Sequence, residues 1–197
     1  MAKEFSNYLR GTFKGFQEAN KTKYKNGNNN KTKTSPTFWN DFEEKAKAIG
    51  IDLIGYTPVL ENYVFKDLPI VGKNAIVLGM EMKWDMIKTA PSIYCGIEAF
   101  RVYYELGKKT IELTEFLQSQ GYKSEAHHPF GGKLLFTAHA VSANLGIKGR
   151  NGLVVTPEFG SRQRWSVITT DAEMPERPSV DHSDLEEFCN SCGACIR

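Results

Sequence analysis

The 197-residue chain has no long hydrophobic run. A membrane-spanning helix needs about 18 or more consecutive apolar residues. Because the chain has no such run, its hydropathy excludes a membrane-spanning helix. The first residues also lack the apolar core and small-residue cleavage site of a secretory signal, and they lack the arginine pair of a twin-arginine signal. We therefore expect a cytoplasmic protein.

Cysteine is scarce, with four in the whole chain. Three of them are crowded near the C-terminus, and the fourth, Cys95, lies far away in sequence. Cysteines this close together cannot bridge one another with normal disulfide geometry. Clustered thiols without a secretory signal indicate metal binding in a reducing compartment.

Net positive charge is confined to the first part of the chain. The net charge is +2, but residues 1–34 hold eight Lys/Arg and two Glu, so the remaining residues carry a net negative charge. A nucleic-acid-binding domain carries its basic footprint on its folded part. We therefore expect no nucleic-acid partner.

Residues 1–36 are expected to form an N-terminal helix followed by a flexible basic linker. The linker, "NKTKYKNGNNNKTKTSP" at 20–36, is almost free of apolar residues, and burial therefore cannot offset its ordering entropy. Before it, apolar residues recur at near-helical spacing: Phe5, Leu9, Phe13 and Phe16. Such a helix either docks on its own domain or on a second copy, giving a homodimer, or anchors the protein to an anionic membrane.

Residues 37–180 alternate between helical and strand patterns, in the order helix, strand, strand, helix, strand, helix, hairpin. The buried strands are "IDLIGYTPV" and "NAIVLGMEM", and the hairpin joins "GLVVT" to "RWSVITT". This order predicts an α/β or α+β sandwich around one sheet.

Residues 181–197 contain a C-x-x-C-x-x-C pattern, formed by Cys189, Cys192 and Cys195. We interpret this range as the incomplete start of a ferredoxin-like segment. Thiolates three positions apart can ligate neighbouring irons of one 4Fe–4S cluster. The fourth cysteine of that signature would fall two positions beyond the chain, so we expect the natural polypeptide to continue. The alternatives are a zinc site completed by His182, cluster ligation by Cys95, or thiols without metal.

A glycine-rich stretch precedes the last strand, and its glycines are suited to tight turns and close backbone approach. They follow a helix and precede a strand, whereas the dinucleotide fingerprint opens a helix after a strand. The glycines therefore predict either a helix cap followed by a loop or a contact with a ligand. Three arginines lie nearby, and arginine can bind anionic groups, although it is also common on exposed surfaces. They are Arg150, Arg162 and Arg164.

Two segments together carry a family resemblance. "LGIKGRNGLVVTPEFGSRQRWSVITTD", followed by "EFCNSCGACIR", resembles the cobalamin-dependent reductive dehalogenases and, less closely, epoxyqueuosine reductase. "ELTEFLQSQGYKSEAHH" also resembles the dehalogenase segment ahead of that core. "PFGGKLLFTAH" has no acidic residue where the epoxyqueuosine reductases place an aspartate, and this disfavours that activity.

The resemblance implies a nitroreductase-like corrinoid domain with one central mixed sheet. It implies base-off cobalamin and 4Fe–4S clusters, a small organic substrate, and an electron donor such as ferredoxin or flavodoxin. Tyr103 falls near the family's proton-donating tyrosine, and Arg162 matches an arginine that stabilises it. The expected corrinoid-binding residues are Gly146, Gly149, Arg150, Asn151 and Gly152.

Three functions follow as hypotheses. The first is a corrinoid-dependent reductase. The second is a non-catalytic corrinoid-binding or electron-transfer module, and the third is a degenerate domain without a cofactor. The alternative to a catalytic role is that Tyr103 or Tyr104 packs in the core.

Overall fold

A computed structural model describes residues 2–176 and 179–196. Within these residues, six helices, six strands and three 3₁₀ turns are joined by loops. Along the chain they are α1 (Ala2–Lys21), α2 (Phe38–Ala48), β1 (Leu53–Pro58), β2 (Asn74–Glu81), α3 (Trp84–Ile87), α4 (Ile93–Ser119), β3 (Ser124–His127), α5 (Phe136–Ser142), β4 (Ile147–Lys148), β5 (Val154–Val155), β6 (Gln163–Thr170) and α6 (Ser183–Cys192); the 3₁₀ turns are Thr22–Lys25, Glu61–Tyr63 and Ala194–Ile196. The expected mixture of helices around one main sheet is confirmed.

The main sheet has the strand order β1-β2-β6-β3, and each of its three strand pairs is antiparallel. The expectation of a mixed sheet is therefore wrong for the named strands. A parallel contact occurs as an isolated bridge between Lys31 and Tyr122. Strand propensity carries no information about direction, and β2 and β6, which are neighbours in space, lie far apart in sequence.

The predicted hairpin between "GLVVT" and "RWSVITT" does not form. β5 pairs with β4 instead, and β6 lies between β2 and β3 in the centre of the sheet. β6 pairs with β2 along its whole length and with β3 over its second half, and its first half has no ladder to β5. A side chain links the two strands, because Gln163 Nε2 donates a hydrogen bond to the Val154 carbonyl at 2.8 Å.

The sheet separates two hydrophobic cores. β2 and β6 are buried on both faces, which explains why "NAIVLGMEM" is apolar throughout rather than alternating. One core lies against α2 and α4 and includes Phe42, Ile76, Leu78, Leu106 and Ile168. The other lies on the opposite face against α5 and includes Ala75, Val77, Ala140, Trp165 and Val167.

The long helix α4 spans the first face of the sheet. The Ser92 side chain caps its start by accepting from the Cys95 amide at 3.3 Å, and Gly121, with φ of 90°, follows its end. Farther along α4, the Thr110 hydroxyl forms a 2.6 Å hydrogen bond with the hydroxyl of Ser166 on β6, inside the core. Because both groups are buried, this bond fixes α4 against β6.

The stretch 20–36 packs against the domain, which differs from the expected flexible linker. The Thr22 hydroxyl accepts from the Ala126 amide at 2.9 Å, and Asn26 Oδ1 accepts from the Ser124 amide at 2.8 Å. Asn26 Nδ2 also donates to the Ser124 carbonyl at 3.0 Å. These bonds cover the outer edge of β3, which would otherwise be an open sheet edge. The low apolar content of this segment did not predict its packing, because hydrogen bonds rather than hydrophobic burial hold it against the domain.

The boundaries proposed at residues 36 and 180 remain predictions. Met1, Arg177, Pro178 and Arg197 lie outside the described residues, so part of the predicted polar connector before α6 is not described. In the described part of the chain, no helix is both long enough and apolar enough to cross a membrane.

We predict that Asn26→Ala lowers the free energy of unfolding by about 1–3 kcal/mol, because it leaves the buried Ser124 amide without a partner. Asn28→Ala is the matched control, since Asn28 is exposed, and its effect should stay within about 0.5 kcal/mol. Urea unfolding of the two variants measures the difference. Equal stabilities would show that the segment is not held by this side chain.

Candidate functional site

A cavity of about 160 Å³ opens at the first half of β6. β3 pairs only with the second half of β6, so the edge at 163–166 meets the loop after β3, the start of α5 and β5. The cavity is lined by Pro129, Phe136, Thr137, Leu153, Val154, Ser161, Gln163, Arg164 and Trp165. The end of one strand pairing thus creates a recess beside the central strand.

Two side-chain atoms of this recess are buried without a hydrogen-bond partner among the described residues. They are Gln163 Oε1, an acceptor, and Arg164 Nε, a donor. Buried polar groups are nearly always paired in folded proteins. Gln163 bonds β5 and Arg164 lies on the α4 side, so the two unpaired atoms belong to opposite sides of the strand.

Tyr103 lies on α4 beside the recess and is half-buried. The guanidinium carbon of Arg164 is 4.8 Å from its ring centroid, within the range of a cation–π contact. Phe130 and Phe100 meet the same ring edge-on, at centroid distances of 5.6 and 5.9 Å. The phenol is thus held between aromatic rings and one fixed positive charge.

Arg162, the partner expected for Tyr103, makes its recorded contacts elsewhere. They lie at the end of β2, in α3 and in the loop before β6: the Glu81 carboxylate, the Met82 carbonyl at 3.0 Å, and the rings of Trp84 and Phe159. The structure thus brings Arg164 onto the Tyr103 ring. Arg162 and Arg164 are two residues apart in "SRQR", and the sequence alone does not show which one reaches α4.

Four of the predicted corrinoid-binding residues, 149–152, form the turn between β4 and β5, and Gly146 lies directly before β4. Gly149 donates to the Leu153 carbonyl at 2.8 Å, Gly152 donates to the Gly149 carbonyl at 2.9 Å, and Asn151 Oδ1 accepts from Leu153. A Cβ at Gly146 would stand 2.2 Å from the Val155 carbonyl oxygen, so packing within the hairpin requires that glycine. Arg150, Asn151 and Gly152 are exposed at its tip. The turn accounts for these residues without a ligand, and their binding role stays a prediction.

The predicted metal ligands lie in the last described segment. Cys189 and Cys192 are in α6, Gly193 ends that helix with φ of 58°, and Cys195 follows in a 3₁₀ turn. Within residues 2–176 and 179–196, no group of three or more His, Cys, Asp or Glu side chains is arranged to hold a metal ion. The thiols therefore match a cluster in chemistry, but the structure does not gather them around one centre.

Two of the buried histidines, His127 and His139, have structural partners on their ring nitrogens. His127 Nε2 is 3.0 Å from the Thr169 hydroxyl, and His139 Nε2 accepts from the Leu60 amide at 3.1 Å. Burial lowers the pKa of His127 to about 3, with Lys133 and His139 acting in the same direction, and burial lowers the pKa of His128 to about 4. Both rings are therefore neutral at neutral pH.

This burial predicts acid sensitivity. The unfolded chain takes up a proton at each histidine below pH 6.5, whereas the folded chain does not until its lower pKa is reached, so this stability is present above pH 6.5 and is lost as pH falls. His127→Gln should reduce the slope of unfolding free energy against pH by about 1.4 kcal/mol per pH unit between pH 6 and 4.5. Urea titrations at several pH values measure this slope. Identical slopes in the variant and the parent would contradict the burial argument.

A half-buried tyrosine, an arginine and a recess thus lie together where a helix packs against the four-stranded sheet of an α/β domain. No family model matches the chain. Tetrachloroethene reductive dehalogenase from Dehalobacter restrictus is 31% identical over 173 residues, covering 85% of this chain and 29% of the relative. The enzyme of the same name from Sulfurospirillum multivorans is 33% identical over 148 residues, covering 68% and 28%.

Epoxyqueuosine reductase from Bacillus subtilis is 25% identical over 189 residues, covering 78% of this chain and 48% of that enzyme. Among solved structures, the catabolic reductive dehalogenase NpRdhA has a TM-score of 0.70 at 21% identity, covering 79% of this chain and 24% of that chain. Epoxyqueuosine reductase from Streptococcus thermophilus has a TM-score of 0.57 at 19% identity, covering 81% and 53%.

The chain belongs to the family that unites the reductive dehalogenases and epoxyqueuosine reductase. The structural matches show that it shares their fold. It spans 29% of the length of the Dehalobacter restrictus relative. The sequence resemblance is therefore confirmed at the level of family and fold.

Proposed function

We propose that this chain is the corrinoid-binding part of an iron–sulfur reductase that acts on a small organic substrate. The observation that carries the proposal is the contact between Arg164 and the Tyr103 ring beside the recess. The family relationship gives this geometry its chemical context.

The recess is lined in part by polar side chains that suit an amide arm of a cobalamin. The corrin ring carries amide side chains, and Thr137, Ser161 and Gln163 of the lining could hydrogen-bond one of them. At about 160 Å³ the recess takes one such arm rather than the ring. A bound cobalamin would supply the reducing cobalt centre.

The residues of this chain would handle the proton and the substrate. Tyr103 holds a proton at its hydroxyl and donates it as the substrate is reduced. Negative charge then develops on the phenol oxygen, and the fixed positive charge of Arg164 stabilises it without rearrangement. Phe100 and Phe130 keep water from the ring edges. Arg162 contacts residues other than Tyr103, and through those contacts it would support the loop before β6.

The electron path of the proposal concerns the cysteine segment. Cys189, Cys192 and Cys195 have the right donor chemistry for a 4Fe–4S cluster, and an electron donor such as ferredoxin or flavodoxin would serve it. Because the described geometry does not gather the thiols, we assign no electron-transfer step to them. Nucleic acid is not part of the proposal, although one related solved structure, an epoxyqueuosine reductase with a TM-score of 0.61, holds a tRNA stem loop.

We predict that this chain, purified in air, carries far less iron than one cluster per chain, because three thiolates leave one iron without a protein ligand. Anaerobic reconstitution with iron and sulfide should give a labile brown protein. Cys189→Ser should lower the bound iron, while Cys95→Ser, remote in sequence, should leave it unchanged. Air-stable stoichiometric iron, or the opposite ranking of the two variants, would contradict this.

The catalytic assignment predicts that Tyr103→Phe lowers turnover by about 10²–10⁴-fold, the usual contribution of proton donation. The assay uses the full-length protein with tetrachloroethene as the probe and reduced methyl viologen as the electron source. Hydroxocobalamin binding, followed by visible absorbance, should persist because the ring volume is kept. Arg164→Lys should impair turnover more than Arg162→Lys, because Arg164 is the arginine on the Tyr103 ring.

Tyr104→Phe is the matched control. Tyr104 is the next residue on α4, its ring lies under Gly11 of α1, and turnover should be unaffected. Undiminished turnover in Tyr103→Phe would favour the alternative of a non-catalytic corrinoid-binding or electron-transfer module. Failure of the parent protein to bind hydroxocobalamin would favour a degenerate domain.

A further inference from the structure

His128, the first residue after β3, fills a slot between two helices. Its side chain is 1% exposed. A Cβ at Gly107 of α4 would stand 2.0 Å from His128 Nε2, and a Cβ at Gly15 of α1 would stand 3.0 Å from it. Both glycines lie inside helices, where glycine costs about 1 kcal/mol relative to alanine. The space they leave is therefore occupied by the imidazole.

The other ring nitrogen of His128 fixes the turn that follows. Nδ1 accepts a hydrogen bond from the Phe130 amide at 3.1 Å, and the His128 carbonyl accepts from the Gly131 amide at 2.9 Å. Nδ1 must therefore be unprotonated, which places the hydrogen of the neutral ring on Nε2. The imidazole joins α1, α4 and the 128–131 turn in one contact.

This turn carries Phe130 to the candidate site. The ring of Phe130 meets Tyr103 at 5.6 Å and also contacts α1 through Phe13 at 5.1 Å and Phe16 at 6.2 Å. Phe130 is still 39% exposed, so part of its ring faces outward next to the phenol. It thus forms an apolar wall on one side of Tyr103.

We propose that His128 is a positioning residue that holds Phe130 against Tyr103, and that Phe130 is the apolar wall which a small nonpolar substrate contacts on reaching the tyrosine. The proposal rests on the proposed function of Tyr103. His128 touches neither substrate nor cofactor and acts through the 128–131 turn. It follows that α1, which forms part of the slot, helps to shape the site.

The positioning claim can be tested without a cofactor. The chain is labelled with 3-fluorotyrosine, and the ¹⁹F resonance of Tyr103 is assigned from its loss in Tyr103→Phe. Phe130→Leu removes the neighbouring ring and defines the direction of the resulting shift. His128→Leu should shift the Tyr103 resonance in the same direction. His128→Asn keeps an acceptor near the Nδ1 position and should remain closer to the parent.

Gly107→Ala provides a second variant, because its new methyl group displaces the imidazole directly, and it too should shift the resonance. His127→Gln is the matched control, since the neighbouring His127 bonds Thr169, and the Tyr103 resonance should stay in place. An unmoved Tyr103 resonance in a folded His128→Leu or Gly107→Ala protein would overturn the proposal. So would a His128→Asn spectrum that matches His128→Leu.

The substrate wall is tested in the full-length protein with tetrachloroethene. Phe130→Leu and His128→Leu should each raise KM by about tenfold, with a smaller change in kcat, as expected for lost apolar contact in a pocket. Unchanged KM would overturn the wall assignment. If the parent neither binds hydroxocobalamin nor turns over the probe, the proposed function fails, whereas the ¹⁹F shifts still decide the role of His128.

Discussion

The antiparallel pairing of β2 with β6 in one register is the constraint on which the rest of the structure depends. It sets Met80 opposite Arg164 and Ile76 opposite Ile168. Because side chains alternate along a strand, a slip of one residue would move Arg164 to the α5 face, away from Tyr103. The register is held by different partners on the two faces: Ser166 bonds Thr110 of α4, while Trp165 packs into the opposite core.

The segment before the sheet stabilises the domain and also reaches the candidate site. Thr22 and Asn26 hydrogen-bond the backbone at the outer edge of β3. The helix α1, which precedes them in the chain, packs against α4. Farther along α1, Phe16 meets both His128 and Phe130. The same element thus closes a sheet edge and supports the aromatic wall beside Tyr103, so loosening it should affect both stability and the site.

Sequence patterns identified the elements with strong local signals. The apolar runs of β2 and β6, the long helix α4 and the glycine–arginine and cysteine segments were recognisable, and they led to the correct fold class and family. Three features depended on information that no local pattern carries. The stretch 20–36 is held by hydrogen bonds to β3, β5 pairs with β4 rather than with β6, and the position of Arg164 follows from strand register.

The central claim is that the β6 register places Arg164 on Tyr103, and a double-mutant cycle on folding stability tests it most directly. The cycle compares the parent, Tyr103→Leu, Arg164→Met and the double variant by urea unfolding, with a second cycle in which Arg162→Met replaces Arg164→Met. The account predicts a coupling of about 0.5–1 kcal/mol for Tyr103 with Arg164, and a negligible coupling for Tyr103 with Arg162. A larger coupling to Arg162 than to Arg164 would contradict it.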